Sequence, residues 1–161
     1  MSKPTKPVSL ADLLKPEAIN LNIQARQKTA ALREVASLLL QNKSVTNFDA
    51  FFHEIIEREH ISNTALGHGV AIPHARTEQC TEILVAIGRN LAGIDFESRE
   101  NGLVRLVFLI GTPKQMVTEY LRVVGNLARL LRRDDIREQL LQAPDAASFI
   151  RIIAEAEAGI A

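Results

Sequence analysis

The chain has 161 residues, with 19 Lys and Arg against 19 Asp and Glu, 47% hydrophobic residues and one cysteine, Cys80. Charge neutrality excludes a dedicated nucleic-acid binder, which needs a basic excess to neutralise phosphates. One cysteine excludes an internal disulfide, and no CxxC or CxxH pattern offers a thiolate zinc site. The absence of Trp and the single tyrosine, Tyr120, exclude large aromatic stacking platforms.

In chain order, Met1–Pro7 has the charge of a signal n-region, but no apolar stretch follows it. Residues 1–8 are therefore expected as a short tail, 9–157 as one domain and 158–161 as a C-terminal tail. No apolar run is long enough to span a bilayer. With no export signal and no disulfide, the expected address is cytoplasmic, peripheral to a membrane at most. Ser9 is placed to cap a short helix through Leu14, which Pro16 ends. Ile19, Leu21 and Ile23 alternate with Asn20 and Asn22, a strand pattern over 18–23. Lys28 to Gln41 carries apolar residues at helical spacing, from Ala31 and Leu32 to Leu39. Thr46 or Asn47 can cap a second helix through Phe51, Phe52, Ile55, Ile56 and Glu59.

Residues 60–69 have no hydrophobic period and read as a loop. Val70–Ile72 reads as a short strand ended by Pro73, which pushes the residue before it out of the helical region. Stronger strands are expected over 83–87 and 104–110. The second is apolar nearly throughout, so it is expected to be central and covered on both faces. Gly111-Thr112-Pro113 reads as a turn. A long helix follows from about Met116 to Leu131, with Val117, Tyr120, Leu121, Val124, Leu127, Ala128 and Leu131 forming a stripe. Asp134 and Asp145 are positioned to cap two last helices. Helices and strands alternating along one chain give an α/β layer fold with a mixed sheet.

The chemistry concentrates in one segment. All four histidines, His53, His60, His68 and His74, fall within 22 residues of each other in sequence, between positions 53 and 74. His74 follows a strand end and a proline, which fix its Cα where a loop would leave the sheet. Neutral imidazole is a nucleophile near pH 7, and the nitrogen left free is set by what the other one binds. Gly67 and Gly69 permit close backbone approach and an anion-binding concavity. Arg58 and Arg76 offer guanidinium forks suited to phosphate oxygens. A nucleophile, an anion nest and cations together suggest phosphoryl transfer through histidine. On residue type alone, His74 also reads as a partly buried structural histidine.

The run Thr64-Ala65-Leu66-Gly67-His68-Gly69-Val70-Ala71-Ile72-Pro73-His74, with Arg58-Glu59 before it, resembles the phosphorylation-site motif of the enzyme IIA domains of the bacterial phosphotransferase system, fructose/mannitol class. That motif runs Arg-Glu, a few residues, then Thr-x-x-Gly-x-Gly-x-Ala-x-Pro-His. The likeness starts at Leu10–Leu14, passes through Lys28 and reaches the closing helix pair. The resemblance implies a mixed five-stranded sheet with helices on both faces. It implies that His74 accepts a phosphoryl group from the histidine phosphocarrier protein, with no cofactor and no metal. Arg58 then stabilises the phosphate, and Thr64, Gly67, His68 and Gly69 form its binding loop. The stand-alone nitrogen-regulatory members, whose phosphorylation state governs binding to target proteins, are the most similar in size.

Two positions depart from the family pattern. Ala75 stands where the family has glycine after the active histidine. Tyr120 aligns with the family's second histidine and offers a neutral hydroxyl instead of an imidazolium. A domain that binds partners without phosphoryl transfer is therefore an alternative. Two others are a zinc site from His60, His68 and His74, and a nucleic-acid or partner surface on Arg122, Arg129, Arg132, Arg133 and Arg137.

Overall fold

The computed structural model describes residues 9–159. The expected tail over 1–8, and the last two residues of the C-terminal one, lie outside them. Helix α1 spans Leu10–Leu13, and a 3₁₀ turn over Pro16–Ala18 leads into β1, Ile19–Asn20. Helix α2 spans Lys28–Ala36 and tightens into a 3₁₀ turn over Ser37–Leu39, and α3 spans Phe48–Ile61. Strands β2 (Ala65–Gly67), β3 (Val70–Ala71) and β4 (His74–Thr77) follow, then β5 (Leu84–Ile94) and β6 (Val104–Pro113). The chain closes with α4 (Val117–Leu131), α5 (Asp134–Gln142) and α6 (Ala146–Ala158).

Two caps form as their residue types dictate. The Asn47 side chain accepts from Ala50 N–H at 3.0 Å, and Asp145 accepts from Ser148 N–H at 2.8 Å. The other two differ from expectation. Ser9 donates its hydroxyl to Glu157 of α6 at 2.7 Å, and the Glu157 carboxylate takes the Leu10 and Ala11 amides instead. Asp134 is the first helical residue of α5, and Arg133 occupies the cap position without a side-chain bond.

The sheet is mixed and has six strands, one more than the family resemblance implied. Its order is β1-β5-β6-β3-β2, with β4 also pairing β6 beyond the end of β3. Strands β3 and β4 run parallel to β6, β5 runs antiparallel to it, and β1 runs parallel to β5. Two short strands, β2 and β4, were not expected from the chain order. Residues 65–67, expected in a loop, pair with β3, while the expected strand over 18–23 pairs only at 19–20. The chain also does not leave the sheet at His74. It restarts there as β4, in register with Ile110, and the expected turn Gly111-Thr112-Pro113 is the end of β6, paired with Ala75, Arg76 and Thr77.

Strand β6 is central, and its side chains alternate between two cores. Leu106, Phe108 and Ile110 join Val123, Leu127, Leu130, Leu140, Phe149 and Ile153 under α4, α5 and α6. Val107 and Leu109 join Ala31, Leu32, Val35, Phe51 and Ile55 under α2 and α3. The helices therefore cover both faces. At Gly111 an added Cβ would lie 2.5 Å from Phe51 Cε2, so only glycine lets α3 sit this close to β6.

Candidate functional site

His74 opens β4 beside Ile110, whose side chain belongs to the core under α4. In-register neighbours in a parallel sheet face the same way, so the imidazole lies on the α4 side. Arg58 belongs to the last turn of α3, on the opposite side of the sheet. The two meet because β4 pairs only with β6, which leaves the other edge of β4 clear for α3 to reach past.

The ring is held from both nitrogens. Nδ1 lies 2.6 Å from the Ile72 carbonyl, so it carries the proton and donates it there. Nε2 is left with its lone pair, 3.5 Å from Arg58 Nη2. Arg58 Nη1 is itself anchored, donating to the Ser62 carbonyl at 3.0 Å. The His74 pKa is held below its ordinary value of 6.5 mainly by burial, which disfavours the cation. The bond to Ile72 opposes that shift, the Arg58 charge adds to it, and the Glu59 charge opposes it. The result is a neutral imidazole at pH 7 with a defined tautomer and one free nitrogen.

Tyr120, in the first turn of α4, stacks obliquely on this ring, with centroids 5.6 Å apart at 48°. The contact is ring to ring. The Arg76 guanidinium lies over the Tyr120 ring, 5.8 Å from its centroid. An open groove of about 620 Å³ runs past the site between Glu54, Glu57, Arg58, Ile61, Ala75, Arg76, Lys114 and Tyr120. Ile61 on its wall is 82% exposed. On the helix that carries Tyr120, Leu121 is 63% exposed and Val117 is exposed as well. The expected α4 stripe thus buries its Leu127 and Leu131 end and leaves its Val117 and Leu121 end uncovered next to His74. Ala75 sits in regular β4 with no left-handed backbone, so the methyl in place of glycine carries no strain.

Thr64, Gly67, His68 and Gly69, expected as a phosphate-binding loop, do not converge on His74. The Gly69 carbonyl accepts from Arg105 and Leu106 N–H at 2.7 and 3.0 Å, whereas the Pro73 carbonyl accepts from Ile110 N–H at 2.8 Å. At the rise of an extended strand those points lie about 15 Å apart along β6. Residues 67–69 are instead the tight turn between β2 and β3, all three left-handed, with φ of 92°, 57° and 81°. Thr64 is buried and turned to Glu59, whose carboxylate accepts its hydroxyl and, at 3.3 Å, its amide.

His60 and His53 are exposed on α3, with His53 Nε2 2.9 Å from Glu57. Among the described residues no three His, Cys, Asp or Glu side chains gather as metal ligands. The arginine run divides. Arg133 pairs with Asp135 at 2.8 Å. Arg137 is buried, bonding the Leu131 carbonyl at 2.8 Å and the Asp134 carboxylate. Arg122, Arg129 and Arg132 remain exposed.

Sequence reasoning missed the groups beneath the site. Lys28 and Glu59 form a buried ion pair at 2.8 Å. The signal was present: Lys28 shares a helix face with Leu32 and Val35, and Glu59 shares one with Phe52 and Ile55. Opposite charges on the apolar stripes of two helices are expected to meet inside. Lys114, on the groove wall, carried no pattern of its own.

The family model described as phosphoenolpyruvate-dependent sugar phosphotransferase system, EIIA 2, matches residues 12–156. A nitrogen regulatory protein of Bradyrhizobium diazoefficiens is 34% identical over 145 residues, covering 90% of this chain and 94% of that one. The fructose-specific EIIABC component of Bacillus subtilis is 33% identical over 146 residues, covering 91% of this chain but only 23% of that longer protein. Among solved structures, the nitrogen regulatory protein IIA-Ntr of Neisseria meningitidis superposes with a TM-score of 0.83 at 27% identity, over 89% of this chain and 98% of that one. No helix among the described residues is long and apolar enough to cross a membrane.

Proposed function

The chain belongs to the EIIA 2 family of the phosphoenolpyruvate-dependent sugar phosphotransferase system, and from that premise we propose that it is a phosphohistidine carrier with His74 as its acceptor. The donor in this reading is the histidine phosphocarrier protein, and the phosphorylation state of His74 governs binding to a regulated target. The carrying observation is the ring geometry: Nδ1–H on the Ile72 carbonyl, Nε2 free beside Arg58. The match along nearly all of a nitrogen regulatory protein supports the regulatory branch. The reading also carries a cytoplasmic location.

Mechanistically, the Nε2 lone pair attacks phosphorus on the donor's phosphohistidine in line with its N–P bond. The new N–P bond forms as the old one breaks, and that electron pair returns to the donor imidazole. No proton moves at Nε2. The Nδ1–H remains on the Ile72 carbonyl, which stabilises the positive charge that develops on the His74 ring. Arg58 lies where it can neutralise the equatorial oxygens, and such transfer is mainly positioning and electrostatics. The exposed Ile61, Val117 and Leu121 offer the donor protein an apolar contact around the groove.

The second reading, a partner-binding module without phosphoryl transfer, rests on Tyr120, which covers one face of His74 without adding an acidic proton or a cation. Incubation with enzyme I, the phosphocarrier and phosphoenolpyruvate separates the two. The expected result is one added phosphoryl group, located on His74 by mass spectrometry. An unmodified His74 sinks the carrier reading and leaves the binding module.

A further inference from the structure

Below His74 runs a continuous chain of contacts of which the carrier reading uses only the last, the bond from Nδ1 to the Ile72 carbonyl. Lys28 Nζ lies 2.8 Å from Glu59 Oε2, with the two side chains 9% and 2% exposed. The ammonium also faces the Phe96 ring at 5.0 Å. The Glu59 carboxylate accepts twice from one residue, taking the Thr64 hydroxyl on Oε1 and the Thr64 amide on Oε2. The Thr64 carbonyl accepts the Ile72 N–H at 3.1 Å. The Ile72 carbonyl accepts the His74 Nδ1–H at 2.6 Å.

We propose that Glu59, held by Lys28 and acting through Thr64 and Ile72, is a positioning residue that fixes the His74 tautomer and the direction of Nε2. A buried ion pair is a poor way to hold α2 against α3, because two apolar side chains of similar volume do so without the desolvation cost. Its use here follows from what the carboxylate grips. Both oxygens fix Thr64 in place, and Thr64 sets the peptide that precedes Pro73. The carbonyl that meets Nδ1 is therefore oriented by hydrogen bonds on its own residue's amide, not by the β4 ladder, which begins only at His74. An outer partner that holds this carbonyl in place fixes which ring nitrogen keeps the proton and where the other one points.

The last turn of α3 thus serves both nitrogens of one ring. Arg58 reaches Nε2 directly, and the adjacent Glu59 reaches Nδ1 through two residues. The charges around the ring are Arg58 and Glu59 from α3 and Arg76 from β4, with the Tyr120 hydroxyl on α4. Glu59 acts against Arg58 on the ring's proton affinity. Removing its charge leaves the Ile72 bond alone to oppose burial and Arg58.

The proposal rests on His74 as acceptor, but its test is separable from that reading. The tautomer is read by nitrogen NMR of the imidazole in the unphosphorylated protein, with no donor present. The wild type is expected to show a single Nδ1–H form near pH 7. Thr64→Val keeps the shape and removes the hydroxyl. It is expected to mix the tautomers and slow phosphoryl acceptance about tenfold at saturating donor, with the half-saturating donor concentration unchanged. Thr64→Ser is expected to restore a single tautomer and most of the rate. The paired change Lys28→Met with Glu59→Leu fills the same space without charge and guards against misfolding of the Val variant. It is expected to mix the tautomers likewise. A folded variant of either kind that retains one tautomer and the wild-type rate overturns the proposal. Failure of the wild type to be phosphorylated would remove the carrier reading, while the tautomer result still decides this one.

Discussion

The segment from Ala65 to Thr77 has two ends built on different principles. At one end, Gly67, His68 and Gly69 reverse the chain in three consecutive left-handed residues, exposed or half-exposed. At the other end, His74 has ordinary extended backbone, and its ring is bonded or contacted by Ile72, Arg58 and Tyr120. Backbone conformation dominates the first end and side-chain environment the second. The glycines in the motif are there for a hairpin between β2 and β3, and they feed the chain into β6 so that His74 arrives at the sheet edge in register with Ile110. A contiguous motif need not be a contiguous site.

The largest effect expected at the His74 end is total. His74→Ala abolishes phosphoryl acceptance, and an unchanged thermal transition accompanies it, because a half-buried side chain at a strand start contributes little packing. Retained phosphorylation in that variant would move the acceptor elsewhere. Next comes Arg58→Met, which keeps much of the stem and removes the guanidinium. A decrease of about 100-fold in the single-turnover rate is expected, the size seen when one charged donor to a transition state is lost. A rate within twofold of wild type would take Arg58 out of the site.

Those two residues were legible in the sequence, and so was the layered fold. Apolar spacing located α2, α3, α4 and α6, and the nearly continuous apolar run of β6 announced a strand buried on both faces. What escaped was everything that depends on pairing across the chain. Residues 65–67 are too short to look like a strand, and 74–77 too short and too polar, and both exist because β3 and β6 supply partners. Tyr120 lay within a stripe that reads as uniform core, yet only the Leu127 and Leu131 half is covered by α5 and α6. Thr64 was expected at the phosphate because the family motif contains it. In space it is turned inward, bonded to Glu59 five residues before it.

The pH dependence sharpens the His74 end further. A pKa held below 6.5 keeps the imidazole neutral, and so nucleophilic, to lower pH than a free histidine. The sign is fixed: acceptance falls as pH is lowered, with its midpoint below 6.5. Arg58→Met removes one of the influences that lower the pKa, so the acid limb moves up toward 6.5. Stopped-flow transfer from phosphorylated carrier across pH 5 to 8 measures both limbs. A wild-type midpoint above 6.5 would contradict the burial argument. Tyr120→His is smaller still. An imidazole at the ring contact can donate a charge-assisted bond that a neutral phenol cannot, so a severalfold rise in rate is expected. An unchanged rate would mean that Tyr120 serves the ring by contact alone.

The smallest effect on transfer is expected at the turn, and it is the one that decides whether the two ends are separate. At Gly69, φ is +81° and an added Cβ would meet nothing closer than 3.8 Å. Gly69→Ala therefore costs only backbone strain, about 1 kcal/mol for an L-residue forced into the left-handed region. That loss is measurable as a shift of the urea midpoint with the slope unchanged. Transfer to His74, normalised to folded protein, is expected to stay at the wild-type rate, because the turn is about 15 Å from the ring along β6. His68 already occupies the same region at φ 57°, so the hairpin tolerates one such residue, and the strain of a second does not have to reach Pro73. A drop in transfer without a change in folding would join the turn to the site, restore the anion-nest reading of residues 67–69, and break the distinction between the ends.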